Sequence, residues 1–407
     1  MRDIHYFSFW EIMMKKFFCI LLASMLTFSL VACGNNESAK TLTVSESSEK
    51  TNEPFTISTE PIVDISVSSV SVKESVPEEP EEVEEIPEDM YRSELTNELI
   101  PIEIQNQRPV AIMVDNEKVA LPHYGTSTAD VVYELMNSTL NGRITRLMCI
   151  VKDWKNIERF GNLRSTRSTN VILAPEYNAI LVHDGGPYYI DEWFGYKNAT
   201  NHLSGGFARF SNGKNWEYRE YVTSENYTNP DSGDSYAGLI KRIEKAKYDT
   251  EYNDYYMGPH FSFANKEFTL EGTDESLKCD TLELPYPHNK SMLKYNEENG
   301  TYDFYEYGEI YVDALNDNNL SFKNLIVLNC DFVQLDEHGY MCYYAIGSGN
   351  GYYITNGYAI PIKYSKKDMF SITEFTNAQT GEALELNTGK IYITYVPKDS
   401  WGDLVIE

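Results

Sequence analysis

Apolar and polar positions divide this 407-residue chain into three textures. Residues 17–31 form one almost unbroken apolar run, residues 34–100 have no sustained apolar period, and from Arg108 onward apolar clusters recur at the spacing of strands and helices. Within that last stretch, residues 109–114 are a short continuous apolar run stopped by Asp115-Asn116. That is the pattern of a buried strand with polar groups at its carboxyl end. Residues 129–136 and 144–151 flank Thr139-Leu140-Asn141-Gly142, and Asn-Gly between apolar runs predicts a hairpin. A helix over 129–136 is the alternative, because Ser127 and Asp130 have capping-box spacing. A helix is predicted over 164–174, a buried strand over 179–182 that ends in His183-Asp184-Gly185-Gly186, and an amphipathic helix over 235–247.

After residue 257 the pattern becomes alternating Tyr, Val, Ile and Thr, with turns predicted at Glu298-Asn299-Gly300, Asn350-Gly351 and Asn356-Gly357 and a last strand at 390–397. The glycine-rich Gly347-Ser348-Gly349-Asn350-Gly351 has no helix after it, so it reads as a turn and not as a phosphate loop. The predicted fold class is α+β: a mixed α/β layered N-terminal domain over 101–257, followed by a β-rich C-terminal domain over 258–407.

The apolar run near the start follows Lys15 and Lys16 and closes on Leu30-Val31-Ala32-Cys33. A basic pair, an apolar core of about 15 residues and a small residue before a cysteine make an export signal of the lipoprotein kind. The run is shorter than the roughly 20 residues a spanning helix needs. Residues 1–32 are therefore expected to be a signal peptide, with the true start at Met13 or Met14, and Cys33 the lipidated first mature residue. Residues 33–100, with the run Pro77-Glu78-Glu79-Pro80-Glu81-Glu82, are expected to form a disordered acidic tether. The expected address is the outer face of the cell membrane, reached through the lipid on Cys33.

A formal net charge of −28 argues against nucleic acid as a partner, because phosphate contacts need clustered Lys and Arg. Of six cysteines, Cys19 leaves with the signal and Cys33 is acylated. Cys149, Cys279, Cys330 and Cys342 remain. A turn at 336–339 pairs Leu335 with Tyr340 and puts Cys330 and Cys342 out of register, so free buried thiols are expected.

Several blocks carry a resemblance to a known family. Arg108-Pro109-Val110-Ala111-Ile112-Met113-Val114-Asp115-Asn116, Ala129-Asp130-Val131-Val132-Tyr133-Glu134, Gly142-Arg143-Ile144-Thr145-Arg146, Gly161-Asn162-Leu163-Arg164-Ser165-Thr166-Arg167 and Tyr177-Asn178-Ala179-Ile180-Leu181-Val182-His183 resemble the YerB-like bacterial lipoproteins, a two-part domain of unknown function. The chain departs from that pattern at Arg219, where a histidine is expected. It departs again at Pro361-Ile362-Lys363-Tyr364, where a tryptophan-containing strand is expected. The resemblance implies a membrane-tethered extracytoplasmic protein and no reaction.

The candidate ligand-binding set is Arg143, Arg146, Arg164 and Arg167 with Asp115, Glu134, His183 and Asp184. In so acidic a chain, two closely spaced arginine pairs make a local positive site, and a guanidinium grips carboxylate or phosphate through a planar fork. The competing reading has these arginines tie strand ends by pairing with Asp115, Glu134 and Asp184. If Arg164 and Arg167 lie on one helix face, as positions i and i+3 do, they can share a ligand. No sequence motif for a metal, a cofactor or a nucleotide is present. The expectation is a binder of an anionic or glycan envelope ligand, such as a cell-wall polymer, or of a partner protein. The alternative is a cell-wall-active hydrolase or transferase that uses Glu134 with Asp115 or Asp184.

Overall fold

The computed structural model describes residues 85–194 and 201–407. The predicted signal, Cys33 and the tether up to residue 84 lie outside the described residues. Regular structure opens with β1 (Met90–Arg92) and β2 (Leu99–Pro101), an antiparallel hairpin. This hairpin occupies the last residues of the segment expected to be a tether up to residue 100. Buried Leu95 and Tyr91 anchor the hairpin, and Glu94 pairs with the buried Lys152 ammonium at 2.5 Å.

The frame is an 11-stranded sheet. Its first half uses β3 (Val110–Asp115), β4 (Val131–Met136), β5 (Thr145–Val151), β6 (Ile180–His183) and β7 (His202–Ser204). Helix α1 (Ser168–Leu173) lies between β5 and β6, and α2 (Leu239–Ala246) follows β7. Beyond α2 come β8 (Leu277–Lys278), β9 (Thr281–Glu283), β10 (Met292–Asn296), β11 (Thr301–Glu306), β12 (Glu309–Ile310), β13 (Ser321–Phe322) and β14 (Asn324–Cys330). The chain continues through β15 (Phe332–Gln334), β16 (Met341–Tyr343), β17 (Gly347–Thr355), β18 (Tyr358–Lys366), β19 (Glu374–Asn377), β20 (Ile391–Pro397) and β21 (Val405–Ile406). Spatial order in the main sheet is β8-β18-β17-β14-β20-β4-β5-β3-β6-β7, with β19 on β18. A six-stranded sheet, β12-β11-β10-β9-β21 with β13 on β11, is the second.

The pairing of β20 with β4 joins the two halves of the chain. Ile391–Pro397 comes near the end of the chain, yet it inserts between β14 and β4, parallel to both, with Ile391 opposite Val131 and Ile393 opposite Tyr133. Residues 101–257 and 258–407 therefore share one sheet and one hydrophobic core. All six residues of β3, all six of β4 and all seven of β20 are buried. Their continuous apolar runs reflect cover on both faces.

The described residues are rich in strand and poor in helix, so the layered α/β expectation holds only in its strand content. The longest α-helix among them is α2, with eight residues. The predicted helix at 164–174 begins only at Ser168. Residues 162–164 instead continue along the end of β3, where Asp115 N donates to Asn162 O and Arg164 N to Met113 O. The 129–136 segment is a strand paired antiparallel with β5, Met136 opposite Thr145. Asn141, Gly142 and Arg143 all take the left-handed conformation in the connecting loop.

Asn356-Gly357 is a two-residue turn, left-handed at both positions, with Thr355 opposite Tyr358. Asn350-Gly351 is not a turn but lies within β17. A Cβ at Gly351 would sit 2.2 Å from Val327 O, and one at Gly349 would sit 2.5 Å from the Tyr364 ring. These glycines are required by close packing. Cys149, Cys279, Cys330 and Cys342 are free and buried, and Cys342 stands opposite Val333, out of register with Cys330.

Candidate functional site

Strands β3, β4, β6, β14 and β20 run in one direction, and β5 runs against them. The carboxyl ends of β3 and β4 and the amino end of β5 thus meet at one edge of the sheet, the edge where parallel sheets collect ligands. Asp115 and Arg146 are cross-strand neighbours there. A cleft of about 380 Å³ opens over them, lined by Asp115, Arg146, Arg164, Arg167, Tyr218, His338 and Tyr340, with the β4–β5 loop as one wall.

Arg164 is neutralised within the protein. Its Nε lies 2.8 Å from Asp115 Oδ2, and its Nη2 lies 2.7 Å from Glu217 Oε2. Arg146 and Arg167 differ. Arg146 Nη1 donates to Ser165 O at 2.7 Å, and Arg167 Nη1 donates to Thr166 O at 2.8 Å. Among the described residues neither forms an ion pair, and the Nε of each is buried without a hydrogen bond. Arg167 is only 7% exposed, and its guanidinium lies 3.8 Å over the Tyr340 ring. Burial, and then the charge of Arg167, push Arg146 down to about 9 against the pull of Asp115. Burial also lowers Arg167, against the nearby Tyr340. Three guanidiniums thus stand around the buried Asp115, with Glu117 and Glu337 also on the lining of the cleft.

The remaining candidates lie elsewhere. Arg143 turns away from the cleft, forks onto Asp399 with two contacts of 2.7 Å and bonds to Ser400. Glu134 is fully buried and does not line the cleft. Thr145 and Ser291 bond to its Oε1 at 2.6 and 2.5 Å, and Tyr392 to its Oε2 at 2.5 Å. Burial raises its pKa against those three donors. This corrects the paired-carboxylate expectation, because both oxygens of Glu134 are committed to internal hydroxyls. His183 Nδ1 donates to Gly185 O at 2.7 Å, which leaves Nε2 to accept from His202 at 3.0 Å, and burial pushes His183 down to about 4. Asp184 lies 3.6 Å from Arg209, outside the cleft. Arg219, at the position where the resemblance expects a histidine, donates from Nε to Lys214 O.

The structure adds Glu117, Tyr218, Glu337, His338 and Tyr340 to the site. The last three belong to the turn between β15 and β16, which docks on the β4–β5 loop through Thr139 N donating to Gly339 O at 2.8 Å and a bridge between Ser138 and Tyr340. Among the described residues no group of three or more His, Cys, Asp or Glu side chains is placed to hold a metal ion. None of their helices is long and apolar enough to cross a membrane.

Fold and cleft together define a strand-rich protein whose two sequence halves both line one cleft at a shared sheet edge. Two family models match the chain: "Protein of unknown function (DUF3048) N-terminal domain" over residues 95–247, and "Protein of unknown function (DUF3048) C-terminal domain" over residues 282–393. The chain belongs to this family. YerB of Bacillus subtilis (strain 168), a protein whose name classes it as a lipoprotein, is 22% identical over 306 residues, 74% of this chain and 82% of YerB. The crystal structure of the Bacillus subtilis YerB protein superposes with a TM-score of 0.62 at 20% identity, covering 78% of this chain and 99% of that one. That likeness extends to the fold.

Proposed function

We propose that this protein is a lipid-anchored extracytoplasmic binder that holds an anionic ligand at the Arg146–Arg167 cleft. The observation that carries the reading is the pair of arginines, buried to different degrees, that form no ion pair among the described residues. Burying a charge without a partner costs several kcal/mol, and a bound oxyanion removes that cost. Arg164, already bridged by Asp115 and Glu217, frames the cleft. The anchor rests on the apolar run before Cys33 and on a relative named as a lipoprotein. An address at the outer face of the cell membrane follows from that anchor, and Cys33→Ser is expected to move the protein from the membrane fraction to the soluble one.

The test is calorimetric titration of the full chain in detergent with inorganic phosphate, citrate, glucuronate and neutral maltose. At least one anion is expected to bind and maltose is not, and the Arg146→Ala/Arg167→Ala double variant is expected to lose the anion. Absence of binding by all three anions, or binding that survives the double variant, would overturn the reading.

A further inference from the structure

Among the described residues the two most exposed large hydrophobic side chains are Tyr188, at 86%, and Trp216, at 65%. Both stand on segments that border the cleft. Trp216 shares the helical turn Trp216–Tyr218 with Tyr218, which lines the cleft, and with Glu217, which holds Arg164. The Arg209 guanidinium lies 4.0 Å over the Trp216 ring and donates to the Trp216 carbonyl at 2.8 Å, so the indole is braced while most of its surface stays in water. Tyr188 precedes Tyr189, whose hydroxyl donates to Asp336 Oδ2 at 3.2 Å, in the turn that carries Glu337 and His338. The start of that tyrosine loop is tied to the arginine segment by Thr166 N, which donates to Gly185 O at 3.2 Å. Rings left in water bury no apolar surface for the fold, and here they stand beside one polar cleft.

The lining of that cleft is chemically mixed. Arg146 and Arg167 only donate, whereas the carboxylates of Glu117 and Glu337 accept, so a ligand that fills the cleft offers an anionic group and hydroxyl donors together. A sugar ring carries donors and acceptors side by side, and its polarised C–H face suits the negative face of an aromatic ring. The cleft lies at strand ends and not along a free strand edge, so it offers no backbone ladder to an extended peptide. Resting on the anionic-cleft reading, we infer that the ligand is an acidic oligosaccharide. One unit seats its anionic group at Arg146 and Arg167, and neighbouring units stack outward on Trp216 and Tyr188. A cleft of about 380 Å³ lies at the small end of ligand pockets, so the further units lie outside it, where these rings stand.

The experiment titrates the full chain in detergent, at one ionic strength, with galacturonate and its four-unit oligomer, with mannose phosphate and a phosphate-terminated four-unit mannose oligomer, and with neutral maltotetraose. In at least one acidic series the oligomer is expected to bind at least about tenfold more tightly than the single unit, the gain of two aromatic contacts. The series that shows the gain names the anionic group. Tyr188→Ala and Trp216→Ala remove side chains that stand mostly in water, so the urea midpoint is expected to stay that of the parent. Each is expected to lower the oligomer-to-monomer affinity ratio at least about twofold, and the double variant to bring it below about threefold. No gain with length in either series, a gain that survives the double variant, or maltotetraose bound as tightly as the acidic oligomers would overturn the oligosaccharide assignment and leave the anionic cleft to its own test. Failure of every anion to bind, inorganic phosphate and citrate included, would overturn both.

Discussion

Replacing Lys366 with methionine exposes how the two sequence halves are locked together. Lys366 ends β18, and its Nζ lies 3.0 Å from Glu176 Oε1, with both side chains 0% exposed. Glu176 also receives His260 Nε2 at 2.6 Å, Thr373 N at 2.8 Å and Thr373 Oγ1 at 3.1 Å. Glu176 comes from the turn after α1, whereas the other three residues come from beyond residue 257. Lys366→Met strips the carboxylate of its ammonium partner. Breaking a buried pair by removing one partner costs about 3–5 kcal/mol, a large share of a stability of about 5–15 kcal/mol.

Burial alone would raise the Glu176 carboxyl, but Lys366 and His260 hold it below the ordinary carboxylate range. A depressed acid stabilises the fold above its unfolded pKa and loses that contribution as pH falls through the folded value. The deficit of Lys366→Met should therefore be large at pH 7.5 and shrink in acid. Urea unfolding of the full chain, followed by tryptophan fluorescence at pH 7.5 and pH 4, measures both effects. The double variant Lys366→Met/Glu176→Gln should recover much of the loss, because no uncompensated charge remains. A single-variant cost below about 1 kcal/mol, or a double variant no better than the single, would refute this account of the clamp.

Gly351→Ala should destabilise by about 1–3 kcal/mol or more, because its Cβ meets the Val327 carbonyl at 2.2 Å; an unchanged urea midpoint would contradict this. Burial lowers His123 and His183 to about 4 each, so each stabilises the fold above its unfolded value near 6.5 and loses that contribution as pH falls toward 4. His183→Gln should flatten the acid limb of a stability-versus-pH curve, and an unaltered slope would count against it. Burial raises Cys279 and Cys342 to about 12 and Cys330 to about 11. A thiol reagent should label these three and Cys149 only after unfolding, and rapid labelling of the native protein would show that they are not enclosed.

Local chemistry made much of this architecture legible from sequence. The continuous run ending at Asp115 became β3 because it is covered on both faces, and Asn356-Gly357 became a two-residue turn because both positions need left-handed backbone. Arg146, Arg164, Arg167 and Asp115 were also legible as one constellation, since each sits at or beside a strand end. The misreadings have a common physical origin in partners far away in sequence. Gly351 imitates a turn until the Val327 carbonyl fills the place of its side chain. Residues 164–167 imitate the start of a helix until β3 captures the backbone at 162–164. Glu134 looks catalytic until Ser291 and Tyr392, more than 150 residues away, occupy its oxygens. The pairing of β20 with β4 and the docking of His338 and Tyr340 over the cleft have no local signature, because they are made when the second half of the chain folds back on the first.

A crystal structure of the protein soaked with whichever of phosphate, citrate or glucuronate binds most tightly tests the central claim most directly. The account predicts an anion within hydrogen-bond reach of both Arg146 and Arg167, with Arg164 still on Asp115. An empty cleft at saturating ligand, an anion bound away from these two side chains, or guanidiniums rotated onto internal carboxylates would contradict it.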